Sequence, residues 1–212
     1  MKKCVILIVL SISLSMALRA QTLTPEVQVV VDACVSMRAA IGAGNLPALR
    51  AASEELKKYD IAYFGNLRPQ KGLPSLDGHF IFDAAFADSL IAGRDVYIFA
   101  QRYADRSRSK GKPRGAPVMM ANFAVAAHSS AHFTFNSKGP QDIAVVTEPG
   151  GSVTLKMTDK KHNLRCNDST DETEGRPVRQ LVFNLPPKEV STVQLEVINT
   201  SDEEISFVII GN

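Results

Sequence analysis

The spacing of apolar residues changes period once along this chain, near Ala121, and that change limits the folds open to it. Before it, Val27, Val30, Cys34, Met37 and Ile41 recur every three or four residues, which puts them on one face of a helix. After it, Phe123, Val125 and Ala127 alternate with other residues, and Phe133 and Phe135 continue the alternation beyond the polar Ser129-Ser130. A chain that is helical first and strand-rich afterwards builds segregated layers rather than a parallel βαβ sheet. The fold class read from this pattern is α+β: an N-terminal helical hairpin packed on or beside a C-terminal antiparallel β-sandwich of jelly-roll-like form.

Local signals place the elements. Thr24 stands as cap to a first helix with Pro25 at its first position and Glu26 favourable to the helix dipole. Gly42-Ala43-Gly44 ends that helix, and Asn45 caps a second in which Leu49, Ala52, Leu56 and Tyr59 form the apolar stripe. His79 to Phe82 reads as a short strand. Asp83 caps a helix from Ala84 to Ile91 that Gly93 closes, and Val96 to Phe99 is apolar enough to be buried as strand or helix. Further strands are expected over Ile143–Thr147, Val153–Met157, Gln180–Asn184, Val193–Ile198 and Ile205–Ile210. Val153, Leu155 and Met157 alternate with Thr154, Lys156 and Thr158, so that one face is core and the other wet.

Residues 1–20 read as a secretory signal peptide, because Lys2 and Lys3 precede the apolar run Val5 to Leu14 and small residues around Ala17 and Ala20 supply a cleavage site. The run is shorter than the roughly 20 residues that cross a bilayer. A lipid anchor needs a cysteine directly after such a run, whereas Cys4 lies in front of it, so no membrane anchor is expected in the mature chain. The expected product is exported, to the periplasm, the cell surface or the medium. Loss of Lys2, Lys3 and Arg19 leaves 21 basic against 22 acidic residues, and this balance gives no reason to expect nucleic acid as a partner. The expected organisation is 21–60 as helical hairpin, 61–115 as a mixed connecting region and 116–212 as sandwich. Cys34 and Cys166 either form one disulfide in an oxidising compartment or remain two buried free thiols.

The order Phe133-Thr134-Phe135, Gly151-Ser152-Val153-Thr154-Leu155, Thr158-Asp159 and Val193-Gln194-Leu195-Glu196-Val197-Ile198-Asn199 resembles the bacterial pre-peptidase C-terminal domains over residues 125–212. The resemblance implies a jelly-roll-like sandwich of a kind found in secreted proteins, several of which bind calcium or extracellular polymers.

Candidate chemistry is sparse. Arg102, Arg106, Arg108, Lys110, Lys112 and Arg114 crowd a segment rich in Ser, Gly and Pro, which makes it an exposed loop able to engage an anionic polymer. Asp159, Asp168, Asp171, Glu172 and Glu174, with Asn163 and Asn167, offer hard oxygen ligands for calcium without the spacing of an EF-hand. No other cofactor is expected. His128 and His132 lie too far apart on an extended segment to share a metal, and His162 beside Cys166 lacks a group to orient the imidazole. No nucleophile elbow, phosphate loop or zincin helix is present in the sequence. The expectation is a non-catalytic binding module for an extracellular polymer, glycan or envelope protein. The alternative is a hydrolase whose residues converge only on folding, with His79, Asp83 and His132 as the candidates.

Overall fold

The computed structural model describes residues 23–64, 67–69, 80–94, 118–137, 141–151, 153–159, 161, 164–169, 178–183 and 190–212, with 164–169 and 178–183 described by their backbone alone. In order these hold α1 (Pro25–Gly42), α2 (Leu46–Leu56), β1 (Ile61–Tyr63), β2 (Arg68–Pro69), α3 (Ala84–Ile91), β3 (Val118–Val125), β4 (Ser130–Ser137), β5 (Gln141–Thr147), β6 (Val153–Asp159), β7 (Leu164–Ser169), β8 (Val178–Phe183), β9 (Ser191–Asn199) and β10 (Ile205–Gly211). One sheet runs β1-β3-β10-β5-β8 and the other β2-β4-β9-β6-β7. Strands β3 to β10 thus follow the order of an eight-stranded jelly roll, changing sheet at every step except from β6 to β7, and β1 and β2 extend one edge of each sheet. All pairings are antiparallel except that of β1 with β3, where Ile61 stands opposite Val118.

The sandwich core follows from alternation. Phe133 and Phe135 of β4, Leu155 and Met157 of β6 and Leu195 of β9 meet Met119, Ile143, Phe207 and Ile209 of the facing sheet, all of them buried. The two sheets nevertheless differ on their outer sides. In β6 and β9 buried residues alternate with residues in contact with water, whereas β5 and β10 are buried at every position. Val118, Met120, Ala144, Val146, Val208 and Ile210 point away from the sandwich core and need a second cover.

The helices supply it. Val27, Val30, Val31, Cys34 and Met37 of α1 pack on that apolar face, and Leu49, Ala52 and Leu56 of α2 complete the cluster. Each buried aliphatic side chain contributes roughly 1.5–3 kcal/mol relative to exposure. The helical hairpin therefore lies on the sandwich as a third layer. Asn45 caps α2 by accepting from the Ala48 N–H at 3.1 Å, and Asp83 caps α3 by accepting from Ala85 and Phe86. Thr24 occupies the cap position of α1 without a side-chain bond. Its backbone N–H instead donates to the buried Asp142 carboxylate at 2.6 Å, which brings a strand residue to the helix N-terminus.

Three expectations need correction. Phe80 to Phe82 form no strand, and His79 lies outside the described residues. The Phe82 backbone is held by a side chain instead: buried Asn122 of β3 accepts from the Phe82 N–H at 2.9 Å, and its Nδ2 lies 3.5 Å from the Phe82 carbonyl oxygen. The alternation read from Phe123 through Phe135 is two strands in different sheets, separated where His128 adopts a left-handed φ of 49°. The acid-rich stretch after Asp159 contains a strand, β7, fixed by its register with β6 despite the weak strand propensity of Asn, Asp and Ser. Of the two alternatives for the cysteines, Cys34 is a buried free thiol. It packs on the helix side of one sheet, while Cys166 belongs to the other sheet, and the intervening sheet and core exceed the roughly 7 Å that a disulfide allows between Cα atoms. The Val96–Phe99 expectation lies outside the described residues.

Candidate binding face

The helix layer leaves the two outer faces of the sandwich unequal. One is the floor of a buried apolar cluster; the other, on β4, β9 and β6, carries Thr, Gln, Asn, Ser, His, Glu and Lys side chains in contact with water. The second face owes its polarity to the period of two along each strand, which sends Leu195 and Val197 inward and Gln194 and Glu196 outward. Register then aligns these residues across strands.

In the central row His132 stands opposite Glu196 and Glu196 opposite Lys156. His132 Nε2 lies 3.9 Å from Glu196 Oε1, Lys156 Nζ lies 3.6 Å from Glu196 Oε2, and the three side chains are 45%, 29% and 46% exposed. Exposed pairs of this kind contribute under about 1 kcal/mol to stability, so their main effect is to orient Glu196. The adjacent row sets Thr134, Gln194 and Thr158 side by side, with Arg68 of β2 opposite Thr134. Arg68 and Gln194 are exposed, and the two threonines are half-buried. One step further along, Thr192 donates to Asn136 Oδ1 at 3.1 Å.

The basic segment Arg102–Arg114 lies outside the described residues, as do Asn163, Asp171, Glu172 and Glu174. Asp159 is buried at the end of β6 and accepts from the Lys161 N–H at 2.9 Å. Asp168 stands opposite Leu155, four residues back along β6, so its backbone is more than about 13 Å from that of Asp159. These two acids do not meet. Among the described residues no three His, Cys, Asp or Glu side chains gather as a metal site. The hydrolase candidates are also separated: Asp83 caps α3 on the helix side of the first sheet, and His132 lies on the outer side of the second. His128 pairs with the exposed Asp202 at 2.9 Å in a loop at one end of the sandwich.

No protein-family model and no curated protein matches the sequence. Among solved structures the chain is similar to the pre-peptidase C-terminal domain of a collagenase from Bacillus anthracis, at 16% identity over 46% of this chain and 79% of that one, with a TM-score of 0.27. That domain is of the family that residues 125–212 resemble in sequence order. This chain is also similar to PliG, a periplasmic inhibitor of g-type lysozyme from Salmonella Typhimurium, at 11% identity over 49% and 93% of the two chains with a TM-score of 0.34. A third is the C-terminal CBM6 of LamC from Zobellia galactanivorans, at 13% identity over 45% and 89% with a TM-score of 0.26. Among the described residues no helix is long and apolar enough to cross a membrane.

Sequence reasoning missed the residues of the polar face, Thr134, Gln194, Glu196 and Lys156, as a set. The signal was present in the contrast between alternating and continuously apolar strands. Ile205 to Ile210 has an apolar residue at five of six positions, which marks a strand covered on both sides, whereas Val193 to Ile198 alternates and marks one covered on a single side.

Proposed function

We propose that the protein is an exported, non-catalytic recognition module that binds an extracellular polymer or an envelope protein through the outer face of β4, β9 and β6. The observation that carries this reading is the unequal treatment of the two sheets. The helix layer covers one outer face, burying its positions on β3, β5 and β10, and the polar face on the opposite side is left for a partner. Flat rows of hydrogen-bonding side chains held on strands are pre-ordered, so little conformational entropy is lost when a ligand lies across them. Export is supported by the charged, apolar and small-residue order of residues 1–20. A non-catalytic role is supported by the separation of Asp83 from His132 and by the central row itself, whose carboxylate is engaged by neighbours rather than set against a nucleophile.

The test is binding of residues 21–212 to an array of glycans, matrix proteins and cell-envelope polymers, with and without chelator, alongside the double variant Thr134→Ala/Gln194→Ala. Capture of an array component by the parent and its loss in the folded double variant is the expected result. Binding unchanged in the double variant, or turnover on a broad hydrolase panel, would overturn the proposal.

A further inference from the structure

The charge on the polar face is not balanced row by row, and the imbalance bears on what the face accepts. In the central row the carboxylate of Glu196 is shared between Lys156 and His132, so that row is internally satisfied. In the adjacent row Thr134, Gln194 and Thr158 supply uncharged donors and acceptors on neighbouring strands, and Arg68 extends the row onto β2. Neighbouring strands are about 4.8 Å apart, so the row from Arg68 to Thr158 is about 14 Å long. Arg68 is exposed, and among the described residues no carboxylate lies within ion-pair distance of it. The described part of this face also carries no aromatic side chain other than the His132 imidazole, so it offers no flat apolar platform for an uncharged ring. From the described residues, contacts here come from hydrogen bonds and from the Arg68 guanidinium.

Resting on the reading of this face as the binding surface, we infer that its ligand is a hydroxyl-rich polymer bearing carboxylates, lying across the strands along the Arg68–Thr134–Gln194–Thr158 row with a carboxylate on Arg68. Hydroxyl groups along the polymer match threonine and glutamine side chains, each of which both donates and accepts. A guanidinium presents two parallel N–H groups to a carboxylate, a match that an uncharged polymer cannot use. Without residues 1–20 the chain is near neutral, 21 basic against 22 acidic residues, so whole-protein charge does not draw a polyanion, and Arg68 is the cation that this row offers one.

The probes are polygalacturonate and alginate, with dextran as the uncharged comparison, measured by calorimetry at low and high salt on residues 21–212, on Arg68→Gln and on Thr134→Ala/Gln194→Ala. An unchanged urea midpoint establishes that each variant is folded. The expected result is binding to a polyuronate but not to dextran, weakened by salt and roughly tenfold weaker in Arg68→Gln, as for loss of one charge-assisted contact. Binding to dextran that Arg68→Gln leaves intact and the double variant abolishes would overturn the carboxylate inference while sparing the face as the binding site. Polyuronate binding that neither variant alters would overturn both. Absence of binding to every polymer probe, with an envelope protein captured through the same face, would overturn the inference alone.

Discussion

Asn199 Nδ2 lies 3.2 Å from the carbonyl oxygen of Val125, so the last residue of β9 in one sheet is tied to the last residue of β3 in the other. The same amide donates to the carbonyls of Ala126 at 3.1 Å and Glu203 at 2.7 Å, while Oδ1 accepts from the Ser201 N–H at 2.8 Å. One buried side chain thus satisfies backbone groups of both chain crossings at this end of the sandwich. Asn199→Ala would leave those carbonyls without their donor, at a cost of about 1–3 kcal/mol for each buried group that water does not reach. We expect a loss of roughly 2–4 kcal/mol in urea denaturation, with Asn199→Asp no better because a carboxylate cannot donate to three carbonyls. A loss under about 1 kcal/mol would show that water replaces the amide.

Gly211 is fixed by space rather than by conformation. A Cβ built there would lie 2.8 Å from the Asp142 carbonyl oxygen and 2.8 Å from Phe64 Cε1. Asp142 is backbone in β5 and Phe64 is fully buried, so neither yields cheaply. Gly211→Ala is expected to destabilise by about 1–3 kcal/mol through overpacking. The check is a thermal melt of the variant beside Gly44→Ala, where nothing lies within 4 Å but φ is +63°. There the cost is conformational, about 1 kcal/mol, and a Gly211→Ala melt milder than that of Gly44→Ala would contradict the packing argument.

Cys34 links packing to pH. Burial, reinforced by the charge of Asp83, pushes its thiol well above the ordinary value of 9.0. The folded state therefore holds the proton more tightly than the unfolded state. Below pH 9 both states keep it and stability is unaffected; above that value the unfolded chain ionises first, and stability falls as pH rises. The slope for one such group approaches about 1.4 kcal/mol per pH unit. Urea midpoints taken from pH 8 upward should fall more steeply for the parent than for Cys34→Ala, even though the variant starts lower because of its smaller side chain. Parallel curves would mean that Cys34 does not ionise on unfolding in that range.

Legibility in the sequence followed the strength of each local signal. The two helices of the hairpin were readable because Val27, Val30, Cys34 and Met37 repeat a helical period and Asn45 and Gly44 punctuate it, and all four stripe residues are buried. Asp83 announced α3 in the same way. Strands β5, β6, β9 and β10 were readable from β-branched runs. β1 and β2 were not, because three and two residues are too few to show a period, and their place depends on pairing with β3 and β4 far along the chain. The polar face is harder still. Its members come from β2, β4, β6 and β9, and only the crossing of strands between sheets makes Arg68, Thr134, Gln194 and Thr158 neighbours. Nearness in the chain misleads in the complementary way: Asp159 and Asp168 are close in sequence, yet the β6–β7 pairing separates their backbones.

The row His132–Glu196–Lys156 separates stability from function. Its side chains are partly exposed and its two contacts, 3.9 and 3.6 Å, are long for ion pairs, so water competes for every charge. Glu196→Gln keeps the shape and removes the charge. The unfolding free energy should change by less than about 0.5 kcal/mol, as for an ordinary surface substitution. Ligand binding should respond differently, because Lys156 and His132 would then lose their shared acceptor charge and the face would gain a net positive charge beside the Arg68 row. Affinity for a carboxylate-bearing polymer should rise, and its salt dependence should steepen. Titrations of parent and Glu196→Gln at two ionic strengths decide the matter. A variant that melts at the parent temperature but binds more tightly at low salt places the ligand on this face. One that melts early shows Glu196 to be a structural residue instead.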